Sequence, residues 1–354
     1  MTIDTELAKL KGHGFILSDA LKKEIFQFFS QQKQGDWQAF DNFFEKFTPF
    51  WTRTSDDIYY RLAEYKQVKF VFESILKVTE EWETTRKLKV HKGTPFYFFG
   101  MASIKNGDIE KGLLLMHQAA QEDKRYGRTD SPAINFITLN DTSKNQFFKS
   151  KLIEIVVFLS DQLQEYCKTN GQTLDINNLR KKLLQNPRYI DESFLFVYSI
   201  FKYHKYVNDI EPKYRQNPLA SYIETDLLFD LCKLCDVVLR KLYPPRAKDR
   251  DTLPEKYSYL CEDGTVKLNL RKDDFIQANT DMYSVSTIDL LLENNYKFPN
   301  VKKPTGIESD LALAYGLRNF SAHRIEENQI IYQKYEKITK HILNAFFFIV
   351  EKKL

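Results

Sequence analysis

Glycine and proline are scarce in this chain, at 12 and 11 of 354 residues, well under ordinary usage. So few chain breakers leave little material for the turns of a sheet-rich fold and favour long helices. Cysteine is scarcer still. Cys167, Cys232, Cys235 and Cys261 are the whole set, too few for a disulfide framework, and they point to a reducing, cytoplasmic setting. Neither sign of charge dominates: 52 basic and 48 acidic residues are interspersed and leave +4. That excludes the broad basic field of a general nucleic-acid coat and confines any nucleic acid to a local site. Long hydrophobic runs are missing as well. The longest wholly apolar stretch, Ala345 to Val350, is six residues, against the roughly 20 that span a membrane. The start MTIDTELAKLKG is polar and carries no signal-peptide core, so the expectation is a soluble cytoplasmic protein with no membrane partner.

Several catalytic signatures are also missing. The chain holds no GxxxxGK[ST] loop, no HExxH and no GxSxG elbow, so P-loop nucleotide chemistry, zincin-type hydrolysis and acyl transfer lack support. No metal and no cofactor is expected. His117, His204 and His341 each sit among helical apolar residues without ligand-like neighbours and read as core or rim histidines. Cys232 and Cys235 form a CxxC, but no second pair stands at a zinc-like distance. Two small buried side chains on a helix is the better reading.

What is present is amphipathic helix after amphipathic helix. At 43% apolar residues the chain can bury a real core in two or three domains. SDALKKEIFQFFSQQ opens at Ser18 as an N-cap, GDWQAFDNFFEKF follows a Gly-Asp turn, and TSDDIYYRLAEYKQVKFVFESILKVTEEW runs long. The hairpin FYFFGMASIKNGDIEKGLLLMHQAAQED places Phe96, Phe99, Gly100, Gly107, Gly112, Met116 and Ala119 at the spacing of one tetratricopeptide-type repeat. It resembles that repeat over about 30 residues, although Ser103 stands where an aromatic is usual. The resemblance implies a groove for a protein or small-molecule regulator; an ordinary helical hairpin is the plainer alternative. The polar stretch GRTDSPAINFITLNDTSKN reads as a connection.

Three regions are expected: a tetratricopeptide-like helical region over 1–128, a connecting helical region over 129–215, and a small bundle over 216–354. In the last, SYIETDLLFDLCKLCDVVLRKLY, VSTIDLLLENNY, ESDLALAYGLRNF and IIYQKYEKITKHILNAFFFIVEKK make four helices. Thr305 with Glu308 forms a capping box for the third. Between the first two helices, Tyr257, Tyr259 and Cys261, then Val266, Leu268 and Leu270, alternate around Glu262-Asp263-Gly264. That spacing predicts a β-hairpin inserted over about 244–272.

Within this bundle GLRNFSAHRI is the segment that carries chemistry. Arg318 ends an apolar stripe of Ile307, Leu311 and Ala314, with Leu313, Leu317 and Phe320 as a second stripe. An unpaired arginine there would cost several kcal/mol, so it needs an acidic partner, a bound phosphate or a solvated crevice. His323 follows five residues later. On an unbroken helix the two point about 140° apart, so they converge only if the helix ends between them or a second copy supplies the missing half. The same Arg-x4-His spacing occurs at Arg86 and His91, in basic, polar surroundings that read as a solvated connection. A helix-terminal arginine and histidine facing the last carbonyls remains the alternative at Arg318.

These residues resemble the HEPN superfamily, whose ribonucleases carry Arg-x4-6-His at the end of the third helix of a C-terminal bundle. Arg318 matches the motif arginine, Asn319 the polar residue after it and His323 the histidine, over roughly 216–354 of the chain. Asp236 with Arg240 could correspond to the family's acidic residue and basic residue four later. The resemblance implies an all-α homodimer in which two motif helices meet across a twofold axis. It also implies a metal-independent endoribonuclease with RNA as substrate, of the kind found in toxin and antiphage defence systems. The two apolar stripes and NAFFFIV offer more hydrophobic surface than one bundle core needs, which accords with a dimer. Between Val301 and Leu354 nine basic residues face six acidic ones, favouring RNA approach. The rival reading is a non-catalytic helical scaffold, or a regulatory protein that binds a nucleotide or RNA.

Overall fold

The structure, a computed structural model, describes residues 5, 16–33, 35–47, 58–140, 146–215, 219–244, 252–263, 268–282, 284–323, 331 and 334–354; side chains are described at all of these except 58–64, 146–151, 285 and 321–323. All regular structure among them is helical, so the fold is all-α. Contacts divide the chain into two compact units, Met1–Lys149 and Ser150–Leu354.

The first unit holds α1 (Asp19–Gln31), α2 (Trp37–Glu45), α3 (Ile58–Arg86), α4 (Gly93–Lys105), α5 (Ile109–Arg125) and α6 (Pro132–Ile137). Ser18 caps α1, its hydroxyl accepting from the Leu21 amide at 3.2 Å, as its sequence position predicts. The core is aromatic. Phe29 of α1 lies edge-on to Phe40, Phe43 and Phe44 of α2 and to Trp82 of α3, at 5.4–6.0 Å between centroids. The stretch 132–137, read from sequence as part of a polar connection, is a helix whose Ala133, Ile134, Phe136 and Ile137 are buried and which packs on α5.

Helices α4 and α5 form the expected antiparallel hairpin. Gly107 turns it with φ +85°, a left-handed conformation that a side chain would strain. Gly100 and Gly112 let the two backbones touch: a Cβ on Gly100 would stand 2.8 Å from the Gly112 carbonyl oxygen. Gly100→Ala is therefore expected to lower the stability of this unit by about 1–3 kcal/mol. Denaturant unfolding followed by tryptophan fluorescence reads this, since all three tryptophans (37, 51 and 82) lie in the first 149 residues.

The second unit begins in α7 (Gln146–Asn170). It continues through α8 (Ile176–Leu179), a π-helical turn (Arg180–Leu184), α9 (Ile190–Asp209), α10 (Ala220–Leu242), α11 (Leu253–Glu262), α12 (Lys272–Asp281), α13 (Val285–Leu292), α14 (Gly306–His323) and α15 (Tyr335–Lys353). Helix α14 packs against α10, α12, α13 and α15. The sequence drew a separate connecting region over 129–215, whereas α7 and α9 share the core of this unit. The Tyr166 hydroxyl donates to Glu351 at 2.8 Å, and Phe196 stacks on Phe346 at 5.1 Å.

The expected β-hairpin is corrected. Tyr257, Tyr259 and Cys261 lie on α11, and no strand occurs among the described residues; Val266 and Gly264 fall outside them. The Glu255 carboxylate accepts from the Thr252 amide at 2.5 Å and Pro254 stands in the first turn, both helix-start signals. Leu253, Tyr257, Leu260 and Cys261 form the buried face at i, i+4, i+7 and i+8, so the helical period outweighs the accidental alternation of three residues.

A second correction concerns the surplus apolar surface. Leu313, Leu317 and Phe320, and every residue from Asn344 to Val350, are buried within the single chain. They form the core of this unit and are not themselves surplus surface.

Candidate functional site

Helix α14 is opened by the predicted capping box. The Thr305 amide donates to Glu308 at 2.7 Å, and the Glu308 amide donates to the Thr305 hydroxyl at 3.3 Å. Glu308 is fully buried and its second oxygen accepts the Asn269 amide at 2.7 Å. The start of the helix is thus pinned to the segment before α12, and the buried stripes of α14 set its rotation.

That rotation brings Arg318 to the edge of the bundle. Its Nε donates to Asp236 Oδ2 of α10 at 2.9 Å, and Nη1 donates to Asn319 Oδ1 at 2.9 Å. Among the described residues nothing pairs with Nη2, and the side chain keeps about a third of its exposure, 31%. The acidic partner demanded by an arginine at the end of an apolar stripe is therefore Asp236, which also stands 3.5 Å from the Tyr257 hydroxyl. Burial raises the Asp236 pKa, Arg318 and Arg240 pull it down, and the result is about 6. At neutral pH Asp236 is ionised and fixes the guanidinium by charge as well as by hydrogen bonding. Arg240, one turn further along α10, is exposed.

Asn319 braces Arg318 through its side-chain oxygen and hydrogen-bonds Tyr315. The backbone of α14 stays helical through His323, which removes a helix break between Arg318 and His323 as a route to convergence. The His323 side chain lies outside the described residues. Cys232 and Cys235 are buried on α10, and burial raises both thiols, as befits small core side chains rather than nucleophiles.

The other Arg-x4-His pair overturns its expectation. His91 is not in a solvated connection: it is fully buried between Asp41 of α2 and Asp123 of α5, with Nδ1 3.0 Å from Asp41 and Nε2 2.9 Å from Asp123. Arg128 spans the same two carboxylates at 2.6 and 2.9 Å and stacks over Trp37 at 4.3 Å. Thr94 donates to Asp41 at 2.7 Å. Burial alone would lower the His91 pKa; the hydrogen bonds and charges of Asp123 and Asp41 outweigh it and lift it to about 9. Two cations and two anions thus balance in a closed, buried network, which suits a structural joint between helices. Its signal in the sequence is an acid on an apolar face: Asp41 beside Phe40 and Phe44, and Asp123 four residues after Ala119.

His341 of α15 contacts the buried Asp310 of α14 through Nδ1 at 2.5 Å, a pairing across helices that no local spacing reveals. Among the described residues no three His, Cys, Asp or Glu side chains are grouped as a metal site requires, and no helix is long and apolar enough to cross a membrane. Compared with protein-family models, curated proteins and solved structures, the chain matches none, and the reading of Arg318 and His323 rests on its own residues.

Proposed function

We propose that the second unit is a metal-independent endoribonuclease acting on single-stranded RNA through Arg318 and His323, with Asn319 as the brace of Arg318. The observation that carries it is the hold on Arg318: a buried carboxylate takes Nε, a neighbouring amide takes Nη1, and the side chain keeps about a third of its exposure with no described residue on Nη2. Such a planar fork with an open edge fits two oxygens of a phosphodiester.

RNA brings its own nucleophile. A histidine acting as base takes the 2′-OH proton, O2′ bonds to phosphorus, and the 5′-oxygen leaves with a proton from an acid, giving a 2′,3′-cyclic phosphate and a 5′-OH. Arg318 stabilises the charge on the phosphorane oxygens. Because α14 is helical through His323, positions 318 and 323 stand about 140° apart around its axis. The reactive set is therefore shared between two copies meeting at the ends of their α14 helices, each giving its arginine to the cleft with the histidine of its partner. The first unit is the regulatory part, where a protein or small molecule governs a toxin-like or antiphage activity.

The purified chain with EDTA present is expected to cut single-stranded RNA to cyclic-phosphate ends and to leave DNA of the same sequence intact. RNA left whole, or 3′-phosphate ends formed without a cyclic intermediate, would overturn this reading.

A further inference from the structure

Near the start of α10 lies a carboxylate with incomplete pairing. Glu224 is 2% exposed. Its Oε1 accepts from the Tyr206 hydroxyl at 3.0 Å, while Oε2 is buried and has no hydrogen-bond partner among the described residues. The cation acting on it, Arg215, belongs to the connection between α9 and α10 and is engaged elsewhere. Arg215 Nη1 donates to Glu336 of α15 at 2.8 Å, and its Nε is buried without a partner. Glu336 is 61% exposed.

One guanidinium thus stands between two carboxylates, one at the surface and one inside. Tyr206 of α9 and Tyr335 of α15 stand beside the inner one; the Tyr335 ring lies 5.8 Å from those of Tyr203 and Tyr206. An ionised Glu224 with a single hydrogen bond in this setting is costly, and it is relieved in only two ways: by taking a proton or by drawing in Arg215.

We propose that Glu224 and Arg215 form a proton-controlled switch in which protonated Glu224 leaves Arg215 on Glu336, and ionised Glu224 draws the guanidinium inward to Oε2. Burial raises the Glu224 pKa, Tyr206 and Arg215 lower it, Glu336 raises it, and it settles at about 7, so the exchange falls in the physiological range. Arg215 is flanked in the connection by Tyr214 and Leu219, which are 61% and 67% exposed. The switch is independent of the ribonuclease reading.

Carbon-13 NMR of the full chain labelled at glutamate side-chain carboxyls tests it. One resonance is expected to titrate near pH 7 and to be missing in Glu224→Gln. Glu336→Gln, a change at an exposed position that leaves the core untouched, is expected to lower that midpoint by roughly half a pH unit or more, because it frees Arg215 and removes a like charge. Arg215→Met is expected to raise it. If no resonance sensitive to Glu224→Gln titrates between about pH 6 and 8, or if Glu336→Gln leaves the midpoint in place, the switch does not exist.

Discussion

Replacing His91 by alanine is expected to destabilise the first unit by about 3–5 kcal/mol, the range for breaking a buried ion network by removing one partner. The loss exceeds that of an ordinary core truncation because two carboxylates, 6% and 3% exposed, are left with Arg128 as their shared cation. The pH dependence follows from the same residue. Its pKa is about 9 in the folded chain and about 6.5 when unfolded, so the folded state holds the extra proton. The stabilisation is fully present below about pH 6.5 and is lost as pH rises through about 9; on the order of 3 kcal/mol is involved. Tryptophan fluorescence in denaturant follows this unit alone, because every tryptophan lies within it. A wild-type midpoint that stays level from pH 6.5 to 10, or a His91→Ala midpoint that falls as steeply as the wild type over that range, would show that the imidazolium contributes nothing.

Arg318→Ala is expected to reduce RNA cleavage by roughly 100- to 1,000-fold, the usual loss when a preorganised group stabilising transition-state charge is removed. Asp236 complicates the experiment, since it loses the cation that offsets its burial. With its pKa already near 6, removal of Arg318 raises it further, and the carboxyl protonates near neutral pH instead of unfolding the bundle. Asp236→Asn combined with Arg318→Ala separates the effects. The double variant is expected to recover stability without recovering cleavage. Cleavage that returns with stability would reduce Arg318 to a structural ion-pair partner, and Arg318→Lys supplies a further check because an ammonium cannot reproduce the planar fork.

How far the sequence could be read depended on whether its signals were local. The caps at Ser18 and Thr305, the Gly107 turn and the buried stripes of α14 are encoded within a few residues of where they act, and each is found as expected. The segment 253–262 alternates at three positions as a strand does, but its Thr-x-x-Glu start and its helical face decide for a helix. Arg318 announced the need for an acidic partner, but nothing adjacent identified Asp236, 82 residues away, as that partner. The burial of His91 is non-local in the same way. Its flanking residues are basic and polar, and the groups that bury it arrive from α2 and α5, 50 residues before it and 32 after it in the chain. In both units the local clue is a charged residue on an apolar face: Arg318 on α14, Asp41 on α2 and Asp123 on α5.

The hydrogen bond from Tyr166 to Glu351 joins residues 185 positions apart, whereas α4 and α5 are joined by a three-residue turn. Chain closure over such different distances separates the two units in time. The first can gather its hairpin from neighbouring segments within a short search, but the second must bring α7 back to α15 before the Tyr166 contact forms. On refolding, tryptophan fluorescence should recover first and the helical signal of the second unit should lag behind it. During that lag the aromatic residues of α15 are without their native cover, and an unfinished chain is expected to aggregate through them.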